Sequence, residues 1–356
     1  MAYPMLRDRD AIVTREGLIF RVLGYSHGHS TFFCDVEYAP AEVFRSEDPR
    51  AFRQNLQHVF FKFFGDEGWK TLQRDFPRYM VKHEMLGRKV TGVKDRDISE
   101  VRLPAERLAS LWQSKPGDVL VNALHEMLET VTAHSGLSAT DFGVFGSMLH
   151  VFHNPGFSDM DLTVYGKRSI ATLLETLADF YAQESSPLSN EFETEHSLKG
   201  KRWRFLNLTP QEYLQHQKRK LIYAVFHDAE SHRAIKTEFE PIRKWEEIVN
   251  DYDCRTRVLR RGWVKMLARV RGDDESAFMP STYEIEPIEV LEGSRIASEA
   301  TRIVSFVEEF RMQCSRDEVV HVAGNLEQVV TPQNSHYQIT LTCCPRYYEQ
   351  VLKLKS

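Results

Sequence analysis

Asp159 and Asp161 stand two positions apart in the run Ser158-Asp159-Met160-Asp161-Leu162-Thr163-Val164-Tyr165, and eleven residues separate Asp159 from the pair Gly146-Ser147. Side chains on a strand point alternately to its two faces, so a strand here sets both carboxylates on one face and Met160 and Leu162 on the other. One acidic face suits a hard divalent cation, which takes oxygen ligands. The apolar residues Phe142 to Phe145 read as a short buried strand, and Met148 to Phe152 as one or two helical turns. A turn of this kind aims backbone N–H groups at a phosphate. Gly146 lets the backbone approach a phosphate with no Cβ in the way, and Ser147 offers a hydroxyl and an N–H. The competing reading is an ordinary strand-to-helix turn with Ser147 as N-cap. The acidic spacing alone means little, since Asp8/Asp10, Asp95/Asp97 and Asp251/Asp253 repeat it. The signal lies in the apolar strands that flank the glycine and continue from the acids.

Taken together, Gly143-Val144-Phe145-Gly146-Ser147 and His153-Asn154-Pro155-Gly156-Phe157-Ser158-Asp159-Met160-Asp161-Leu162 resemble the DNA polymerase beta-type nucleotidyltransferase superfamily. Within it, the wording is similar to a poorly characterised, mostly archaeal set of nucleotidyltransferases, as is Arg9-Asp10-Ala11-Ile12-Val13-Thr14-Arg15-Glu16-Gly17-Leu18-Ile19-Phe20. The resemblance implies transfer of a nucleoside monophosphate from an NTP to a hydroxyl acceptor, with magnesium. Such chemistry uses two ions roughly 3.5–4 Å apart, bridged by carboxylates, to neutralise the triphosphate and hold the attacking oxygen in line. Asp159 and Asp161 supply the first two carboxylates in this reading.

The resemblance also implies a third carboxylate from a neighbouring strand, as both metal ligand and base. Ala234 to Ile242 is the segment that fits, with Lys236, Glu238 and Glu240 on one face. Glu238 is the first choice; Glu240 follows because Pro241 is expected to end the ladder just after it. Lys236, on the same face, is expected to meet the triphosphate. His150 and His153 lie three apart but have no Cys or carboxylate partners at ligand spacing, so His153 reads as part of the loop His153 to Gly156. Tyr165, Lys167 and Arg168 follow the acidic strand, either as phosphate contacts or as a polar loop before a helix.

Around these residues the fold class expected is α+β: a nucleotidyltransferase mixed sheet with flanking helices, a small N-terminal α+β domain and a C-terminal β-barrel-like domain. The blocks are residues 1–100, 101–250 and 251–356. In the first, strands are expected at Ala11 to Val13, Leu18 to Leu23 and Thr31 to Tyr38, with a helix from Pro49 to Phe64 on Phe52, Leu56, Val59 and Phe60. In the second, helices are expected over Ala105 to Gln113, Asp118 to Ser135 and Ser169 to Ala182, and from Pro210. In the third, short strands are expected between turns at Gly272 to Asp274, Glu292-Gly293 and Ala323 to Asn325.

A chain of 356 residues that is 42% hydrophobic and 27% charged can bury substantial cores. It contains no apolar run of the roughly 20 residues a membrane span needs, and Met1 to Asp8 lacks the apolar centre of a signal peptide, so a cytoplasmic location and no membrane partner are expected. Cys34, Cys254, Cys314, Cys343 and Cys344 form no Cys-x-x-Cys pair, which disfavours a zinc ribbon or disulfide framework. A net charge of −5 confines any nucleic-acid contact to a local patch. Two patches qualify: Lys199, Lys201, Arg202 and Arg204 about Trp203 with Lys218 to Lys220, and Arg255, Arg257, Arg260, Arg261, Lys265, Arg269 and Arg271 about Trp263. Solvated faces with an anchored Trp fit equally. RNA is therefore one expected acceptor; the alternatives are adenylylation of a protein and a non-catalytic nucleotide or RNA sensor.

Overall fold

The computed structural model describes residues 5–55, 58–200 and 202–355, a mixed α+β chain. It divides into two compact units, one of residues 1–82, 89–189 and 224–252, the other of residues 83–88, 190–223 and 253–356.

The N-terminal residues build one sheet from β1 (Ala11–Thr14), β2 (Ile19–Val22), β3 (Thr31–Pro40), β4 (Phe52–Gln54), β5 (Val59–Lys62), β6 (Met80–His83), β7 (Arg88–Lys94) and β8 (Ile98–Arg102), with α1 (Glu67–Asp75) after β5. The long β3 serves two neighbours: Thr31 to Phe33 pair with β7, and Tyr38 to Pro40 with β5. Leu6, Ile12, Phe20, Leu72 and Tyr79 form its core. The helix expected from Pro49 to Phe64 is instead the β4–β5 hairpin; Leu56 lies outside the described residues. The aromatic and β-branched residues that suggested a helical stripe are good strand formers, and they pair across the ladder, Phe52 opposite Phe61 with ring centroids 6.1 Å apart.

A second sheet runs in the order β11-β12-β13-β10-β9, from β9 (Phe142–Val144), β10 (Met160–Tyr165), β11 (Leu188–Asn190), β12 (Tyr223–Asp228) and β13 (Arg233–Ile242). It is mixed: β10 is parallel to β13 and antiparallel to β9. The helices of this region are α2 (Pro104–Gln113), α3 (Val119–Ser135), α4 (Gly146–Leu149) and α5 (Lys167–Tyr181). Asp118 caps α3 by accepting from Leu120 N and Val121 N at 2.9 and 3.0 Å, and Gly136 ends it. α5 buries Ile170, Leu173, Leu177 and Phe180, a stripe of helical period.

Two features weld the N-terminal sheet to this region. Ala11, Ile19 and Tyr38 share a buried cluster with Leu149 and Phe152, at and just beyond the end of α4. Ahead of β1, Arg9 Nη2 donates to Glu240 Oε1 of β13 at 2.7 Å, with both side chains 2% exposed. The Arg7 guanidinium lies against the rings of Tyr165 and Trp245, 3.9 and 4.2 Å from their centroids.

In the other unit, α6 (Pro210–Arg219) accompanies β14 (Arg257–Glu275), β15 (Ser281–Glu292), β16 (Ala300–Ser305), β17 (Val319–Val330), β18 (Ser335–Leu341) and β19 (Val351–Leu354). Their pairings follow the order β14-β15-β16-β18-β17-β19, and β17 pairs with β14 as well. Two expected turns are strand interior instead. Gly272 sits at a bulge in β14, and Gly324 lies within β17, where a Cβ would meet Leu341 Cδ2 at 2.5 Å. There glycine answers a close packing contact rather than a chain reversal.

A buried charge stripped of its partner is costly, so Arg9→Met should lower unfolding free energy by about 3–5 kcal/mol, and adding Glu240→Leu should restore much of the loss. Urea unfolding of wild type, single and double variants measures this; equal losses in the single and double variants would contradict it.

Candidate active site

The parallel register of β10 and β13 sets Asp161 beside Glu238, and Met160 beside Thr237. Neighbouring strands are about 4.8 Å apart, so the two half-buried carboxylates leave adjacent backbones on one face. Asp159 is exposed just ahead of β10, and Lys236, also exposed, lies one step outside the paired register, level with Asp159. Glu240 belongs to the same face of β13 but is buried and committed to Arg9. Of the two glutamates, Glu238 is therefore the one left beside Asp161.

The electrostatics bear the stamp of crowded like charge. Burial, then Glu238, then Asp159 push the Asp161 carboxyl up to about 7, against weaker opposition from Lys62 and Arg9. Gly146 stands against this carboxylate. Phe145 N donates to Asp161 O at 2.9 Å, Gly146 has φ +59°, and a Cβ there would lie 2.1 Å from Asp161 Oδ2. Both the backbone angle and the space demand glycine. The cap of α4 is Phe145, so Ser147 lies within the helix and does not act as its N-cap.

The loop carrying the chain from α4 to Asp159 is pinned at several points. Asn154 N donates to Ser158 Oγ at 2.8 Å, and Asn154 Oδ1 accepts from Gly156 N at 2.9 Å. Arg233, at the start of β13, donates to the carbonyls of Pro155 and Ser158. His153 Nε2 lies 3.0 Å from Asp118 Oδ2, so the residue that caps α3 also holds this loop. His150 is buried against Arg102 and is pushed down to about 3, chiefly by burial. Tyr165 is buried beneath Arg7, while Lys167 and Arg168 begin α5. Tyr165 lies four residues and about 13 Å along β10 from Asp161, and Lys167 and Arg168 follow past that far end of the strand, which sets all three apart from the acidic pair.

Sequence reasoning missed Arg9 and Arg233, both of which order the acidic face. The alternation Arg7-Asp8-Arg9-Asp10 was the available signal for Arg9, because four charges ahead of an apolar strand are all buried. Arg233 left none.

A donor set of Asp159, Asp161 and Glu238 is all oxygen, the chemistry magnesium prefers, and the space that Gly146 leaves is taken by the Asp161 carboxylate. Among the described residues, no three His, Cys, Asp or Glu side chains are gathered closely enough to hold an ion as they stand.

The basic clusters of the other unit are largely occupied. Lys220 is buried, donating to Glu309 O and Gln217 Oε1, and Lys218 and Arg219 pair with Glu193 and Glu318. Arg255, Lys265 and Arg271 pair with Asp253, Glu292 and Glu286. Trp203 and Trp263 pack on the core, Trp203 Nε1 donating to Leu208 O at 2.7 Å. Lys201 lies outside the described residues. Leu86, Arg88, Val258, Leu259, Arg260 and Arg261, with Glu327, line a shallow groove where β14 is bulged.

The chain is 27% identical over 356 residues to an uncharacterized protein of Methanocaldococcus jannaschii, a match that spans 98% of this chain and 99% of that one. No protein-family model matches the chain. No solved structure matches it either.

Because the folded-state value of Asp161 stands above that of an unfolded chain, its contribution to stability is complete below about pH 4 and is lost as pH rises through about 7. Asp161→Asn should then stabilise the protein at pH 8 by about 1–2 kcal/mol and change little at about pH 4, in melts without added metal. A destabilised Asp161→Asn at pH 8 would contradict the crowding described here. Gly146→Ala should be destabilised at both pH values, since its added carbon strains the turn whatever the charge of Asp161.

Proposed function

We propose that the protein is a magnesium-dependent nucleotidyltransferase of the polymerase beta-type superfamily, moving a nucleoside monophosphate from an NTP to a hydroxyl acceptor. The observation that carries this is the placement of Asp161 in register with Glu238, beside a turn whose glycine leaves the room the Asp161 carboxylate occupies. The order of elements supports it: short strand, glycine turn, acidic strand, and a parallel neighbour bearing the third acid.

Asp159, Asp161 and Glu238 would hold two magnesium ions, which supply charge neutralisation at the triphosphate and lower the pKa of the attacking hydroxyl. The chain's own groups do the rest. Glu238 accepts the proton of the acceptor hydroxyl, whose oxygen attacks the α-phosphorus of the NTP. The bond between that phosphorus and the bridging oxygen to the β-phosphate breaks, and pyrophosphate leaves. The Gly146-Ser147 turn offers N–H groups and the Ser147 hydroxyl to the triphosphate, and Lys236 stands at the outer end of the same face. The pinning of Asn154 to Ser158 by Arg233 fixes Asp159 at the mouth of the site.

RNA is the acceptor favoured by the groove of Arg88, Arg260 and Arg261 with Leu259, where guanidinium groups and an exposed apolar side chain suit phosphates and unstacked bases. The ring of pairings β14-β15-β16-β18-β17 and back to β14 supports a barrel-like reading of the strands behind that groove.

Incubation with each α-labelled NTP, magnesium and a pool of cellular RNA and protein should label an acceptor, and chelation should abolish labelling. Asp161→Asn and Glu238→Gln should each lower the rate at least about 100-fold, the scale for groups that act only on the transition state. Labelled protein in place of RNA would assign adenylylation. Nucleotide binding with no labelled species would leave the sensor role.

A further inference from the structure

We infer that Lys62, from the hairpin of the N-terminal sheet, is a triphosphate-binding residue of this site; the inference rests on the nucleotidyltransferase reading and adds a residue no motif marks. Three acids, two divalent cations and a tetra-anionic triphosphate leave a surplus of negative charge, which a site of this kind must meet with cations from its own chain. Lys236 comes from the acidic strand pair itself. Lys62 arrives from a different sheet.

Its approach is built into the packing. Phe60 and Lys62 share a face of β5, since they are two residues apart on a strand. Phe60 is docked on Phe152, with centroids 4.8 Å apart, and Phe152 N donates to Ser147 O at 2.8 Å, so the hairpin is seated on the glycine turn. Lys62 Nζ is held 5.8 Å over the Tyr38 ring, and Tyr38 in turn meets His150 and Phe152 at 5.4 Å each. The half-buried ammonium is thus carried by a ring that packs on His150 and Phe152, just after the glycine turn, and it lies within electrostatic reach of both Asp161 and His150. Arg53 lies opposite Phe60 on the same hairpin, but its Nη1 donates to the carbonyls of Arg50 and Phe52, at 2.7 and 2.8 Å. Among the described residues Lys62 lies against the face of Tyr38, a contact that leaves the ammonium able to donate to phosphate oxygens.

The experiment is isothermal titration of the full chain with α,β-methylene-ATP and, separately, AMP, each with magnesium chloride. Lys62→Met keeps an apolar stem against Tyr38; it should weaken α,β-methylene-ATP by roughly tenfold or more, as loss of a charge-assisted contact implies, with AMP within about twofold. Lys62→Arg should recover most of the loss, and Lys62→Gln should not. If Lys62→Met binds both ligands as wild type does, or weakens both equally, Lys62 does not read the triphosphate and the inference fails while the function stands. If wild type itself fails to bind α,β-methylene-ATP with magnesium, the nucleotidyltransferase reading falls and this inference falls with it.

Discussion

Parallel pairing between β10 and β13 holds two carboxylates side by side against their own repulsion, and the rest of the site is arranged around that enforced closeness. The backbone can impose it because the ladder is buried on its other face, where Leu162 and Phe239 are fully enclosed. A slip of one residue would turn Asp161 into the core and Leu162 out of it, so hydrophobic burial fixes the register and the register fixes the charges. Stability at the core is thereby converted into electrostatic strain at the surface.

Along that shared face the environment changes from open to closed. Asp159 and Lys236 stand at the outer end, Asp161 and Glu238 come next, and Thr163 with Glu240 and then Tyr165 with Ile242 lie deeper. The segment before β1 fills the deep half, Arg9 on Glu240 and Arg7 on Tyr165. Glu238 and Glu240 have the same side chain, the same strand and the same face, yet one is spent on an internal ion pair and the other stands beside Asp161. The Arg7 to Asp10 segment therefore sets how deep the polar cleft runs.

Much of the acidic strand was legible from alternation, and so were α2, α3 and α5, because an apolar stripe of helical period with Asp118 ahead and Gly136 behind leaves little choice. The choice between Glu238 and Glu240 was not, since it depends on an arginine more than two hundred positions away in the chain. The β4–β5 hairpin was misread as a helix because Phe52, Val59 and Phe60 satisfy both periods, and only pairing with β3 and packing on Phe152 decide between them. Gly272 and Gly324 look like turn residues in a window of sequence. In three dimensions one marks a bulge and the other a narrow gap between strands. The basic clusters gave a count of cations but not of their partners, and Lys218, Arg219, Arg255, Lys265 and Arg271 turn out to be matched by acids within the same unit.

The two compact units are interleaved in sequence, since residues 190–223 and 253–356 of one alternate with stretches of the other. Asp161 is made before that inserted passage and Glu238 after it. During synthesis the acidic strand must therefore wait, its parallel edge unsatisfied, until the ribosome has delivered β13. No single scission of the polypeptide yields either unit whole, so dissection of this protein calls for circular permutation or co-expressed fragments rather than truncation.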